Sequence, residues 1–160
     1  MKKIILVAAM VLGFTVAASA QPRAIGLRIG NGAEVSYQHE KGNDFISVDG
    51  GLGLDIYNVQ NNALFVGATA IYNFMIAQPL WTEEGEWGFY AGPGANVGLG
   101  IGSPAHFNLA AAGAVGLEYK FWFPLQLSID IRPQLGVDFG HGVGFHATGF
   151  WPAVSARYRF

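Results

Sequence analysis

The sequence predicts an all-β fold, an eight-stranded antiparallel up-and-down transmembrane β-barrel, and three observations predict it. Apolar and polar residues alternate through nearly the whole chain beyond residue 20. That is the period of a strand, whose successive side chains point to opposite faces. The charges of those strands all keep to one parity, opposite the apolar one. Finally, the chain is 51% hydrophobic, yet beyond its N-terminus no stretch approaches the roughly 18 consecutive apolar residues of a membrane helix. High apolarity without a long apolar run is what alternation produces.

The N-terminus reads separately. Lys2 and Lys3 precede an almost unbroken apolar run over residues 4–16, and Ala18-Ser19-Ala20 follows as a small-residue cleavage site. This predicts a secretory signal peptide over residues 1–20, too short to span a bilayer, and a mature chain of residues 21–160. No cysteine occurs, which excludes a disulfide framework, thiolate chemistry and lipoprotein anchoring at the cleavage site. Losing Lys2 and Lys3 takes the formal charge from −2 to −4, so nothing recommends a nucleic-acid partner.

The first strand, residues 24–30, sets Ile25, Leu27 and Ile29 against Gly26, Arg28 and Gly30. Gly30-Asn31-Gly32 is a tight turn whose odd length keeps the two faces in phase. The second strand, residues 33–39, puts Val35 and Tyr37 outward and Glu34 and Ser36 inward, with Arg28 opposite Glu34 as a cross-strand ion pair. A polar turn is expected over residues 40–44. The third strand, residues 45–55, places Ile46, Val48, Leu52 and Leu54 on one face and Ser47, Asp49, Gly51, Gly53 and Asp55 on the other. A polar loop over residues 56–62 leads to the fourth strand, residues 63–75, with Phe65, Gly67, Thr69 and Asn73 inward beside Ile71 and Met75.

After a longer connection carrying Pro79 and Trp81, the fifth strand covers residues 87–101. Gly88, Gly92, Gly94, Gly98 and Gly100 share one parity with Tyr90 and Asn96. A phosphate loop would need a following helix and usually a lysine; period-two glycines instead make room inside a narrow, curved sheet. The sixth strand, residues 108–121, turns Ala110, Ala112, Ala114, Gly116, Glu118 and Lys120 inward. Beyond the aromatic turn Trp122-Phe123-Pro124, the seventh sends Gln126, Ser128, Asp130, Arg132 and Asp138 inward. Residues 139–145 read as a Gly- and His-containing loop, and the eighth strand runs on to Phe160.

The eleven strand charges are Arg28, Glu34, Asp49, Asp55, Glu118, Lys120, Asp130, Arg132, Asp138, Arg157 and Arg159. A Lys or Arg facing lipid at mid-depth costs about 2–4 kcal/mol, which gives a membrane barrel a reason for their segregation. A soluble barrel reverses this polarity, and a two-sheet sandwich burying the apolar face is the competing architecture.

The closing strand carries Val154, Ala156, Tyr158 and Phe160 on one parity and Ser155, Arg157 and Arg159 on the other. It resembles the C-terminal strand of bacterial outer-membrane β-barrels, which ends in Phe after alternating apolar residues. From Ala24-Ile25-Gly26-Leu27-Arg28 through Gly116-Leu117-Glu118-Tyr119 to Tyr158-Arg159-Phe160, the chain resembles the small outer-membrane barrel proteins of Bacteroidetes-type bacteria. The resemblance implies export to the outer membrane, with lipid around the barrel. It also implies an assembly signal made of Val154, Ala156, Tyr158 and Phe160, read by the outer-membrane assembly machinery. It specifies a fold and no activity.

Inside, the charges Arg28, Glu34, Asp49, Glu118, Lys120, Asp130, Arg132, Arg157 and Arg159 are expected to form a mutually neutralising lumen network, because an unpaired buried charge is expensive. It is expected to plug the lower half beneath a small-residue vestibule of Gly94, Asn96, Gly98, Gly100, Ala110, Ala112 and Ala114. The expected role is structural, anchoring or in contacts within the envelope, without cofactor or metal; the alternatives are a narrow pore for small solutes or a lipid A-modifying enzyme. Of His39, His106, His141 and His146, none has a Ser and an acid beside it on one strand face, and His141 and His146 read as solvated loop residues. Residues 56–62 and 139–145 are the candidate outer contacts for an envelope partner.

Overall fold

The computed structural model describes residues 23–54, 64–101, 105–140 and 142–160. It contains ten strands: β1 (Arg23–Ile29), β2 (Gly32–Lys41), β3 (Asp44–Leu54), β4 (Leu64–Ala77), β5 (Glu86–Ile101), β6 (His106–Lys120), β7 (Leu125–Ile131), β8 (Gln134–Phe139), β9 (Val143–Thr148) and β10 (Pro152–Arg159). Each pairs antiparallel with its neighbours, and the sheet closes through β1–β10 and β5–β6. β7 and β8 both pair with β6 in one unbroken register, interrupted only at Arg132-Pro133. Proline has no N–H to give the ladder, so the strand is divided there while its course continues. Likewise β9 and β10 follow one another along β8 and β7. The ten strands are therefore eight staves of a closed up-and-down barrel.

The turns follow from local chemistry. Gly30 and Gly32 flank Asn31, with the Gly30 N–H donating to the Gly32 carbonyl at 3.1 Å, and Arg28 stands opposite Glu34 as expected. Lys41 and Asp44 pair across Gly42-Asn43, and Gly42 takes φ +68°, which suits a two-residue hairpin. The turn expected over residues 40–44 is thus shorter, because Glu40 and Asp44 belong to the strands. The loop expected over residues 139–145 is also shorter, since Phe139 and Val143 pair as strand residues. His141, Asp55 and residues 56–62 lie outside the described residues.

One feature of the wall changes parity. The partner of Gln134 is Thr148, whereas the partner of Ile131 is Pro152, so β9–β10 contains one residue more than its partner between these points. This bulge centres on Gly149, at φ +77°, whose carbonyl accepts from the Arg132 N–H at 3.0 Å. Even-numbered residues face inward before it and odd-numbered ones after it. His146 is consequently a lumen-facing strand residue, which corrects its reading as a solvated loop histidine.

Elsewhere the expected faces hold. Leu27, Val35, Leu52, Val66, Val97, Leu109 and Ile129 are exposed on the outer wall. Ser36, Ser47, Asp49, Thr69, Asn96, Glu118, Asp130 and Arg157 are buried within. Ile71, only 1% exposed, packs inside with Phe45, Tyr90, Ala112 and Ala114, and Met75 lies against them. The inward glycines leave space for rings: a Cβ on Gly98 would collide with Phe65, one on Gly100 with His106, and one on Gly116 with Tyr90.

Candidate functional site: a bridged lumen

The lumen is tied across its diameter by polar side chains in layers. Near the end holding Arg23 and Phe160, Lys120 on β6 meets Glu40 on β2 at 2.6 Å and Glu118 at 3.4 Å. Glu118 also accepts from Gln126 at 2.7 Å and from Gln38 at 3.3 Å, and Gln126 donates to Gln38 at 2.8 Å. Because β2 and β6 are four staves apart, the Lys120–Glu40 and Gln38–Glu118 contacts cross the full barrel. The next layer is Arg157, whose guanidinium donates to Ser36 at 2.7 Å and Ser128 at 2.9 Å.

Above it lies the densest cluster. Arg28 bonds Glu34 at 2.8 Å and Asp130 at 2.6 Å, while Arg132 bonds Asp49 at 2.6 Å and approaches Asp130 at 3.3 Å. Asp49 on β3 and Arg132 beside β7 again stand on opposite staves. The Tyr90 hydroxyl donates to Asp130 at 3.2 Å, and the Tyr90 ring meets Phe45 edge-on at 5.0 Å. The side chains of Asp49 and Asp130 are wholly buried. An isolated carboxylate in that position would be strongly disfavoured, so the arginines and their geometry are what make its burial tolerable.

Eight of the nine anticipated network residues thus lie in these layers, Arg157 bonding hydroxyl groups and the other seven forming ion pairs. Arg159 is half-buried beside Phe160 and takes no part in these pairs. Reading by charge alone missed Glu40, assigned to a turn, and the neutral members Gln38 and Tyr90. Parity was the available signal for both neutral residues, since they share the inward face with Ser36 and Asn96.

The upper lumen departs from the expected small-residue vestibule. Phe65 fills the space over Gly67 and Gly98, His106 covers Gly100, and Ile71 packs by Gly94. What remains is a cavity of about 150 Å³ between the arginine cluster and the far rim. On its wall His146 Nδ1 lies 2.8 Å from Asp138 Oδ2, and Asn108 Nδ2 lies 3.1 Å from Asp138 Oδ1 and 2.9 Å from His146 Nε2.

The outer wall carries aromatic clusters at both ends. Trp81 in the β4–β5 connection packs on Trp87 and Phe89, both 5.5 Å away between ring centroids, and Tyr119, Phe121, Phe123 and Trp122 continue that cluster. Thr82 accepts from the Trp87 indole at 3.2 Å, and Tyr119 donates to the Glu84 carbonyl, fixing the connection against the wall. At the other end Phe107 and Phe139 face each other near the exposed Phe145. Val154, Tyr158 and Phe160, expected to belong to an assembly signal, are also on the outside, each more than half exposed, with Ala156 on the same parity. No protein-family model, curated protein or solved structure matches this chain.

Proposed function

We propose that the chain is exported by a cleaved signal peptide over residues 1–20 and spans the bacterial outer membrane as a closed barrel of the small Bacteroidetes-type class. Its role is structural, anchoring or in contacts with an envelope partner, and its lumen does not conduct. The observation that carries the reading is inverted polarity. Among the described residues the buried set contains sixteen polar or charged residues and eight hydrophobic ones, five of them alanines. The exposed set holds thirty-two large hydrophobic residues. Soluble monomers rarely expose a contiguous apolar patch beyond about 300–600 Å². Moving a full apolar side chain out of water is worth about 1.5–3 kcal/mol. Over this wall the gain from lipid is on the order of tens of kcal/mol, against a barrel that in water would expose all of it. Aromatic clusters at both ends of the wall suit the two interfaces of a bilayer.

The transverse ties support the closed lumen. Three ion-paired or hydrogen-bonded crossings, at Glu40–Lys120, Gln38–Glu118 and Asp49–Arg132, occupy the bore that ions would have to traverse. Eight-stranded barrels are in any case just wide enough for side chains to fill. Outer-membrane fractionation with heat-modifiable gel mobility tests the location: the protein should sediment with outer membranes and migrate differently boiled and unboiled. Recovery in the soluble periplasm with unchanged mobility would overturn the reading. Planar-bilayer recordings of pure protein should lack large, stable conductance, and lipid A should be identical in cells with and without the gene.

A further inference from the structure

The upper rim of the barrel is stepped. Strand partners followed from Ile29 around the barrel lead through Leu52, Leu99 and Phe139 to Val143, whereas on its other side Ile29 pairs with Val154. Val143 and Val154 belong to one stave, eleven positions apart, and the bulge at Gly149 accounts for one of them. A stagger of about ten residues over eight strands tilts the strands roughly 40–45° from the axis, so each residue climbs about 2.4 Å along it. The upper ends of the strands lie close to the line from Ile29 to Val143 and rise with it. The tip of β9 consequently stands roughly 15–20 Å above the β1–β2 turn beside it. Among the described residues no strand flanks β9 on that side, so above Asn31 they leave the wall open between β9 and β3.

The upper-lumen cavity lies directly behind this step. Asn31 and Gly32 of the turn, Gly53 of β3, and Trp151 and Ala153 beyond the bulge all line it. The lip is apolar, with Ile29, Leu52 and Trp151 each more than half exposed. The interior is polar and balanced in charge: Arg28 and Arg132 are matched by Glu34 and Asp138, with the uncharged amides of Asn31 and Gln134 among them. Below it the layers of Arg157 and Lys120 close the bore. By the same climb, Asn31 lies roughly 20 Å above the level of Trp87 and Tyr119 in the lower aromatic cluster. The apolar band of an outer-membrane barrel is about 25 Å tall. The open side therefore faces the apolar interior of the bilayer half farther from Arg23 and Phe160. A polar cavity is reached there from lipid, across an apolar lip.

We propose that this cavity takes the head of a single-chain amphiphile whose head is uncharged and hydroxyl-bearing, a monoacylglycerol in kind. The acyl chain leaves over the β1–β2 turn and lies along Ile29 and Leu27 in the surrounding lipid. Size and charge select the head. A cavity of about 150 Å³ accommodates a molecule of benzene's dimensions, about six heavy atoms, which is the size of a glycerol head. Hydroxyl groups both donate and accept, so they match a lining of carboxylates, amides and guanidinium groups. A charged head would add a charge that the balanced lining does not offset, and an uncompensated charge in a partly buried site is costly. A phosphodiester head is also larger than the cavity. The proposal rests on the membrane-spanning reading, because the open side gives an amphiphile its route only where lipid surrounds the wall.

The test uses the full-length mature chain in phosphatidylcholine nanodiscs and a monoacylglycerol brominated near its head, since bromine quenches tryptophan on contact. Trp151 is the only tryptophan on the cavity, so the difference between the native chain and Trp151→Phe isolates its emission. At a few mole per cent of probe that emission should fall saturably. The effect should be at least tenfold larger than with phosphatidylcholine brominated at the same carbon and mole fraction. A fatty acid and an alkylamine of the same brominated chain should quench at least fivefold less than the monoacylglycerol. Gly53→Phe fills the cavity from a position where a Cβ meets only the Asn31 carbonyl, at 3.8 Å, and it should abolish the preference. Heat-modifiable mobility verifies that this variant is folded, and Gly53→Leu serves if the ring prevents folding. Quenching merely proportional to mole fraction, equal quenching by either charged amphiphile, or an undiminished preference in the folded Gly53 variant would overturn the proposal alone. A chain that stays outside the nanodiscs would overturn the membrane reading and the proposal with it.

Discussion

Replacing Arg132 with Met should destabilise the barrel more than any single change on its outer wall. Arg132 is 5% exposed and is the ion-pair partner of Asp49, whose side chain is wholly buried and whose other oxygen has no hydrogen-bond partner. Arg132 also shares Asp130 with Arg28. Its loss leaves one carboxylate buried without a counter-charge and a second with one arginine instead of two. Breaking a buried pair from one side costs about 3–5 kcal/mol, much of it the desolvation of the orphaned partner. At about 1.4 kcal/mol per factor of ten, that lowers the folded-to-unfolded ratio by about two to three and a half orders of magnitude. Because the penalty belongs to the orphaned Asp49, the double variant Arg132→Met with Asp49→Leu should recover most of it, giving a coupling of about 1–3 kcal/mol. Reversible urea unfolding of the four members of this cycle, followed by tryptophan fluorescence in one detergent or lipid system, measures it. A cost below about 1 kcal/mol for Arg132→Met, or strict additivity in the double variant, would refute the argument. Either result would mean that water, not Arg132, solvates Asp49.

Other substitutions probe the packing and the wall. Gly98→Ala drives a methyl group into the Phe65 ring and should cost about 1–3 kcal/mol in the same assay, with Phe65→Leu in the same chain restoring part of it. Gly149→Ala meets two obstacles, a φ of +77° and the Arg132 carbonyl, so it should lower stability by more than about 1 kcal/mol. An equal effect from Gly142→Ala, where a Cβ has open space, would refute the bulge argument. Phe160→Ala should reduce the amount of protein recovered in the outer membrane while leaving synthesis intact; unchanged membrane levels would remove Phe160 from the assembly signal.

The amino-acid sequence by itself determined the architecture, because each stave states its own two faces. Glu34, Asp49, Glu118, Asp130 and Arg132 alternate with Val35, Val48, Leu117, Ile129 and Ile131, and strict period-two alternation converts directly into inside and outside. The nearest pairing was equally legible: Arg28 meets Glu34 because a three-residue turn fixes their register. The reach across the lumen was not. That Asp49 meets Arg132, and Lys120 meets Glu40, depends on the relative heights at which staves separated by about eighty residues cross the bore. Those heights follow from the stagger accumulated around a closed sheet, which no local pattern encodes. His146 failed for a related reason: the bulge at Gly149 shifts β9 by one residue, and a one-residue slip exchanges the two faces. Only the closed structure, with the carbonyl of Gly149 anchored to the Arg132 N–H, decided that this histidine faces Asp138 inside the barrel.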